Sequence, residues 1–290
     1  MKVLVYRHLK LFFKNPVNII LSFLSSLVIL SLYFLFIRDF TIKAVSDYGF
    51  ISRYNELFVD RLMTSGLLIV VGATSVLSII FIFVKDQYSG IIKDFLVTPI
   101  SYIKIVYSYF LAAFIVSMVI TLLVYIGIEV FFYLVYEEFS SLQIIFYSLL
   151  TILCSNIIAS LLILIIALGI NNFTSFSTFQ TLYGVVIGFF TGVYIPIGYY
   201  PDVIRNIFFY FPLCQTTSLL RKILTDGVVD NILINYPKEE HYLLYETFGV
   251  HLSLNGYVML IGEQVLMIII AIILLNLVLI LLLMVKRKYK

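Results

Sequence analysis

Long apolar runs separated by short polar islands set the pattern of this chain. Six stretches reach the roughly 17 to 25 mostly apolar residues that a helix needs to cross a hydrocarbon core about 30 Å thick. They extend from about Ile19 to Ile37, Leu62 to Val84, Ile105 to Tyr136, Leu142 to Ile170, Phe176 to Ile195 and Val258 to Val285. A membrane β-barrel would instead alternate polar and apolar positions over segments of about ten residues. The pattern predicts an all-α fold of six spans with both termini on one side. The first run exceeds the roughly 7 to 15 apolar residues of a secretion signal and meets Arg38-Asp39 without a small-residue cleavage site, so it is expected to stay in place.

Two polar islands have helical order of their own. In residues 1–15, Arg7, Lys10 and Lys14 fall on one stripe and Val5, Leu9, Phe12 and Phe13 on nearly the opposite one. That arrangement predicts a helix lying in the membrane interface with its basic side toward anionic headgroups, ended by Asn15-Pro16. The second island, residues 85–99, reads KDQYSGIIKDFLVTP and predicts an amphipathic helix of about four turns. Ile91, Ile92, Phe95 and Leu96 supply its apolar side, Lys93 and Asp94 its polar side, Thr98-Pro99 its stop, and Ser101 a cap for the next helix. A plain connector needs neither an apolar face nor a stop. Ile91 and Phe95 suit burial against a partner protein, or else against the membrane surface.

Composition places the chain among integral membrane proteins: 62% of residues are apolar, 12% are charged, and the mean hydropathy is +1.09. The net charge of +3 says little; its distribution says more. Eleven Lys and Arg residues lie on the side of the termini, against only Asp86 and Asp94. By the positive-inside rule that side is cytoplasmic. On the outer side, residues 198–257 form the longest region, punctuated first by Pro201 and Pro212. Its segments Asp202 to Phe211 and Leu213 to Leu224 are too short to span, and are expected as half-helices re-entering the outer leaflet. A seventh, proline-broken span would place the Lys286 to Lys290 cluster outside, against the charge rule.

Little in the chain carries chemistry. Cys154 and Cys214 lie in apolar surroundings without metal-ligand or redox spacing, no catalytic cluster shares a plane, and no GxxxxGK[ST] phosphate loop occurs. Neither a metal nor a cofactor site is expected. Glu129 and Glu263 sit near the outer boundary of their spans, either reaching headgroup water or meeting a cationic part of a transported molecule. Asn156 is polar and deep enough to bond between helices, Tyr183 and Tyr194 are candidates to line a path, and Asn171 and Asn172 stand at its inner mouth. The 26 Phe and 22 Tyr residues are expected mostly at lipid, interface and packing positions. No charge lies near the middle of a span, which argues against an ion-coupled secondary transporter.

The N-terminal amphipathic helix, the KDQYSGIIKDFLVTP island and the proline-punctuated region together resemble the ABC-2 type permeases, membrane subunits of ATP-binding-cassette exporters. Pro201, Pro212-Leu213 and Arg221 match that family's signature, whereas Gln215 stands where His, Arg, Ser or Tyr is usual and Tyr200 replaces an aliphatic or small residue. The resemblance covers residues 1–290 as one transmembrane domain. It implies a non-catalytic half-transporter: two permease chains, expected as a homodimer, with two copies of a cytoplasmic ABC ATPase that binds the ATP and Mg. Residues 1–15 would be the elbow helix. Residues 85–99 would be the coupling helix, docking the ATPase through Lys85, Asp86, Gln87, Tyr88, Gly90, Ile91, Asp94 and Phe95. The expected function is export of a hydrophobic or amphiphilic molecule, drug-like, lipid-like or peptide-like, as in multidrug exporters. Glu129, Asn156, Tyr183, Tyr194 and Glu263 are the path candidates. A glycan exporter of the same family and a non-transporting sensor or immunity protein are the alternatives.

Overall fold

The computed structural model describes residues 1–16, 19–20, 27–28, 31–46, 53–170, 172–226, 228, 244–254 and 257–288. The helices are α1 (Lys2–Lys14), α2 (Arg38–Ser46), α3 (Arg53–Tyr88), α4 (Ile91–Leu96), α5 (Tyr102–Tyr136), α6 (Leu142–Gly169), α7 (Phe173–Phe190), α8 (Asp202–Tyr210), α9 (Pro212–Thr225) and α10 (Ile261–Lys288). A π-helical turn, Tyr33–Ile37, leads into α2. An antiparallel hairpin of β1 (Ser253–Leu254) and β2 (Tyr257–Val258) precedes α10.

Local chemistry sets the helix ends. Side-chain oxygens of Ser101, Ser141 and Asn172 accept from the backbone of Lys104, Ile144 and Thr174, satisfying orphan donors at the starts of α5, α6 and α7. Pro201 precedes α8, and Pro212 opens α9, where the missing N–H costs nothing. Inside the helices, Thr64, Ser75, Thr121, Thr151 and Ser160 return their hydroxyls to carbonyls four residues back. That lets small polar residues lie in a medium without water.

Among the described residues, four helices are long and apolar enough to cross a membrane: α3 from Glu56, α5, α6, and α10 as far as Lys286. The chain is therefore a multi-pass membrane protein. α3 is the centre of the bundle, packed against α5, α6, α7 and α9, while α10 lies outermost. The most apolar window of α3 is 78% buried and that of α10 only 11%. Close approach at the centre depends on Gly72: a Cβ there would fall 2.0 Å from Asn156 Oδ1.

The contacts also sort the ends. α1 packs on the start of α5, and the Lys286 amine donates to the Leu168 carbonyl at the end of α6. Since α5 and α6 run antiparallel, α1 and the end of α10 share one end of the bundle.

Of the expected first run, residues 21–26 and 29–30 lie outside the described residues, and residues 31–37 are helical. The run expected at Phe176 to Ile195 is helical over Phe173–Phe190 and stops there, because the chain turns at Thr191 and at Gly192, whose φ is +65°. Glu56, Asp60 and Arg61, which fall between the first two expected runs and so on the outer side, belong instead to α3. This helix of 36 residues is about 54 Å long. Its added turns are stable because Asp60 and Arg61, both buried, find partners on neighbouring segments. The island at residues 85–99 is not one helix. Lys85 to Tyr88 continue α3, Gly90 turns with φ +84°, and α4 is a separate helix of 6 residues.

Candidate functional site

Beyond the turn at Gly90, α4 forms a knob that packs one face on the bundle and leaves the other exposed. Nothing lies within 4 Å of where a Cβ would stand on Gly90, so glycine serves the left-handed backbone there rather than close packing. Lys85, Tyr88, Lys93, Asp94 and Val97 are exposed, Gln87, Ile91 and Phe95 are half-buried, and Ile92 is the buried residue of α4. Asp86 departs from the expected docking set. It is buried, accepts from Arg7 Nη1 at 2.7 Å and from Tyr109 Oη at 2.6 Å, and so anchors the knob instead of presenting a contact.

The root of the knob joins four helices. The Arg7 guanidinium, reaching from α1 to Asp86 on α3, also lies 5.1 Å from the centre of the Phe95 ring on α4. His8 stacks on Tyr109 of α5 at 3.7 Å between ring centres, with Nε2 3.0 Å from Ser108 Oγ. Burial, aided by the Arg7 charge, pushes the imidazole down to about 4, so His8 is neutral at neutral pH. α1 therefore buries Leu4, His8 and Phe12 and leaves Phe13 exposed, and its Arg7 faces protein and not headgroups. Periodicity alone does not identify His8 as a core residue.

At the opposite end, Asp60 accepts from Tyr33 Oη, from Tyr136 Oη at 2.5 Å and from Arg38 Nε at 3.0 Å; Arg38 also pairs with Glu56 at 2.8 Å. Arg61 Nη1 donates to the Leu224 carbonyl of α9 at 3.1 Å, and Arg61 pairs with Glu138 at 3.5 Å. Beside it, the Ser140 amide donates to Glu129 Oε2 at 3.3 Å. Glu129 Oε1, Tyr125 Oη, Ser140 Oγ, Ser148 Oγ and Arg61 Nε are buried there without protein partners. Unsatisfied polar atoms gathered in this way are satisfied in folded proteins by internal water.

α9 is held by a wholly buried arginine. Arg221 Nη2 donates to the Thr191 and Gly192 carbonyls at 2.7 and 3.2 Å. Among the described residues no carboxylate pairs with it, so main-chain dipoles receive the charge. Glycines admit the guanidinium: a Cβ on Gly249, whose φ is +66°, would stand 2.7 Å from Arg221 Nη1, and one on Gly66 3.3 Å from Nη2. Gln215, the departure from the signature, has its own partner. Gln264 of α10 donates to Gln215 Oε1 and to Ser218 Oγ, each at 3.2 Å, and accepts from Lys222 Nζ at 2.9 Å.

The path candidates do not converge. Asn156 is buried between α3 and α5, its Nδ2 3.1 Å from Met118 Sδ. Tyr183 is buried on α7, whereas Tyr194 lies over Gly188 beyond the end of that helix. Glu263 is exposed and accepts from Tyr257 Oη and the Leu260 amide at the start of α10, with no bond to the buried nest around Glu129 among those the structure shows. Asn172 caps α7, and Asn171 lies outside the described residues. Asp60, Arg61, His8 and Gln264 were legible only as polar residues beside apolar runs. Among the described residues no group of three or more His, Cys, Asp or Glu side chains is placed to hold a metal ion.

A family model described as ABC-2 type transporter covers residues 1–225, which take in every element from α1 to α9. No curated protein sequence matches the chain.

Proposed function

The chain belongs to the ABC-2 type transporter family, whose membrane domain is a permease component that normally works with an ABC ATPase partner, and from that premise we propose its particular role. It is the permease half of an exporter for a hydrophobic or amphiphilic molecule. Two copies of the chain pair in a plasma membrane, with α1, α4 and the end of α10 on the cytoplasmic side. Two separate ATPase subunits bind ATP and Mg and supply the work.

One observation carries this reading: α4 stands exposed beyond a left-handed glycine, yet its root is tied by Arg7, Asp86 and Tyr109 into α1, α3 and α5. A helix placed so accepts a push and passes it to long helices. Lys85, Gln87, Tyr88, Gly90, Ile91, Asp94 and Phe95 form the docking face, with Asp86 as its internal anchor. ATP-driven closure of the ATPase pair displaces α4, and the bundle exchanges one packing for another. α8 and α9 re-enter the outer leaflet, and the membrane crosses six spans in all. The scarcity of charge along the spans favours an amphiphile over a polyanionic glycan.

The test replaces Gly90→Val and Asp94→Lys together in the chain co-expressed with its ABC ATPase partner. The expected result is normal membrane insertion with loss of ATPase co-purification and of ATP-dependent transport. Undiminished co-purification and transport would remove α4 from the docking role.

A further inference from the structure

A cavity of about 1110 Å³ opens between α6, α9 and α10, at the end of the bundle opposite α1. Its walls are largely apolar, with Tyr147, Leu150 and Cys154 from α6, Ile223 from α9, and Val265 and Ile269 from α10. The mouth is apolar as well. Tyr147 is 48% and Leu150 45% exposed on α6, beside α10, whose apolar window is the least buried of the four spans. In a bilayer such a mouth faces acyl chains rather than water. A void of this size with apolar walls forfeits dispersion contacts unless something fills it. Its volume exceeds the roughly 300 to 1,000 Å³ of pockets for drug-sized ligands, which suits a long chain.

One cation breaks the apolar lining. Lys222 Nζ donates to Gln264 Oε1 at 2.9 Å and to the Met259 carbonyl at 3.4 Å, both neutral acceptors. Among the described residues no carboxylate lies within ion-pair distance of it. A primary ammonium has three donors, so one remains for a ligand. Asp226, exposed on the rim just past the end of α9, disfavours a doubly charged headgroup. His251, also in the wall, is held neutral because burial, with help from the Lys222 charge, pushes its imidazole down to about 4.

We propose that this lateral cavity binds a monoanionic long-chain amphiphile, its chain between α6 and α10 and its headgroup on the Lys222 ammonium. Binding of this kind requires no ATPase, so the inference stands or falls apart from the export reading.

The chain has no tryptophan, so a single Tyr147→Trp substitution at the mouth gives fluorescence without background. The purified protein in bilayers of uncharged lipid is titrated with a brominated long-chain carboxylic acid and with the alcohol of the same chain length. Saturable quenching by the acid is expected at about one tenth of the alcohol concentration, a preference that Lys222→Arg keeps and Lys222→Gln removes. Cys154→Phe, which fills the cavity from the α6 side, is expected to abolish saturable quenching by either compound. Equal or non-saturating quenching by acid and alcohol overturns the proposal, as does saturable quenching that survives Cys154→Phe. Absence of quenching, together with disulfide cross-linking of two chains through Cys154, would assign the cavity to a second copy and overturn it equally.

Discussion

Removing the Asp86 carboxylate should free α1 from the bundle. Its oxygen accepts from Arg7 at 2.7 Å and from Tyr109 at 2.6 Å, and the side chain is 5% exposed. Asp86→Ala leaves the buried Tyr109 hydroxyl without an acceptor, at about 1–3 kcal/mol. It also strips Arg7 of its charged partner, although Arg7, at 30% exposure, regains some water. Breaking a buried pair typically costs about 3–5 kcal/mol, and the partial exposure of Arg7 places this case near the lower bound, about 3 kcal/mol. Asp86→Asn keeps an acceptor for Tyr109 and should cost about half as much. At roughly 2–4 °C per kcal/mol, Asp86→Ala should lower the thermal transition in detergent by about 10 °C. Phe12 on α1 is 1% exposed, so a Phe12→Cys reporter, in a chain with Cys154 and Cys214 replaced, should pass from protected to labelled when Asp86→Ala is added. A cycle of Arg7→Ala and Asp86→Ala should give a coupling of about 1–3 kcal/mol. A transition unchanged within about 1 °C, with Phe12→Cys still protected, would refute the idea that this knot holds α1.

Two further predictions follow from the buried groups. The His8 pKa is depressed to about 4 from an ordinary 6.5, so the undocked state takes up a proton first as pH falls. The contribution of His8 to docking is complete above about 6.5 and declines toward pH 4. Labelling of Phe12→Cys should therefore rise between pH 7.5 and 5, and His8→Gln should flatten that rise; an identical pH profile in His8→Gln would dismiss it. Gly249→Ala should destabilise the chain by about 2–4 kcal/mol, since it puts a Cβ at positive φ and 2.7 Å from Arg221 Nη1. In chemical unfolding this loss should be markedly smaller when Arg221 is already Gln, whereas strict additivity would mean that the guanidinium does not require the glycine.

Much of the architecture could be read directly from the residues. Spans at α3, α5, α6 and α10 follow from length and apolarity, and α8 and α9 from prolines at their starts, because a helix in lipid satisfies its own backbone and needs only local information. Gly90 and the apolar positions around it likewise mark the knob, though not the separation of α4 from α3.

What the linear pattern leaves open is which polar groups meet. Arg7 finds Asp86 79 residues away, and Arg61 finds the Leu224 carbonyl at a separation of 163. Such pairings leave no periodic trace, so Asp60 and Arg61 resemble loop charges until Tyr33, Tyr136, Glu138 and α9 close around them. Asp86 looks like a docking contact for the same reason, and His8 like one more polar residue on a surface helix. Composition and periodicity decide that a chain enters the bilayer and where its helices run. Only three-dimensional packing decides which charges are buried, because a charge is tolerated there by partners that the fold, and not the neighbouring sequence, supplies.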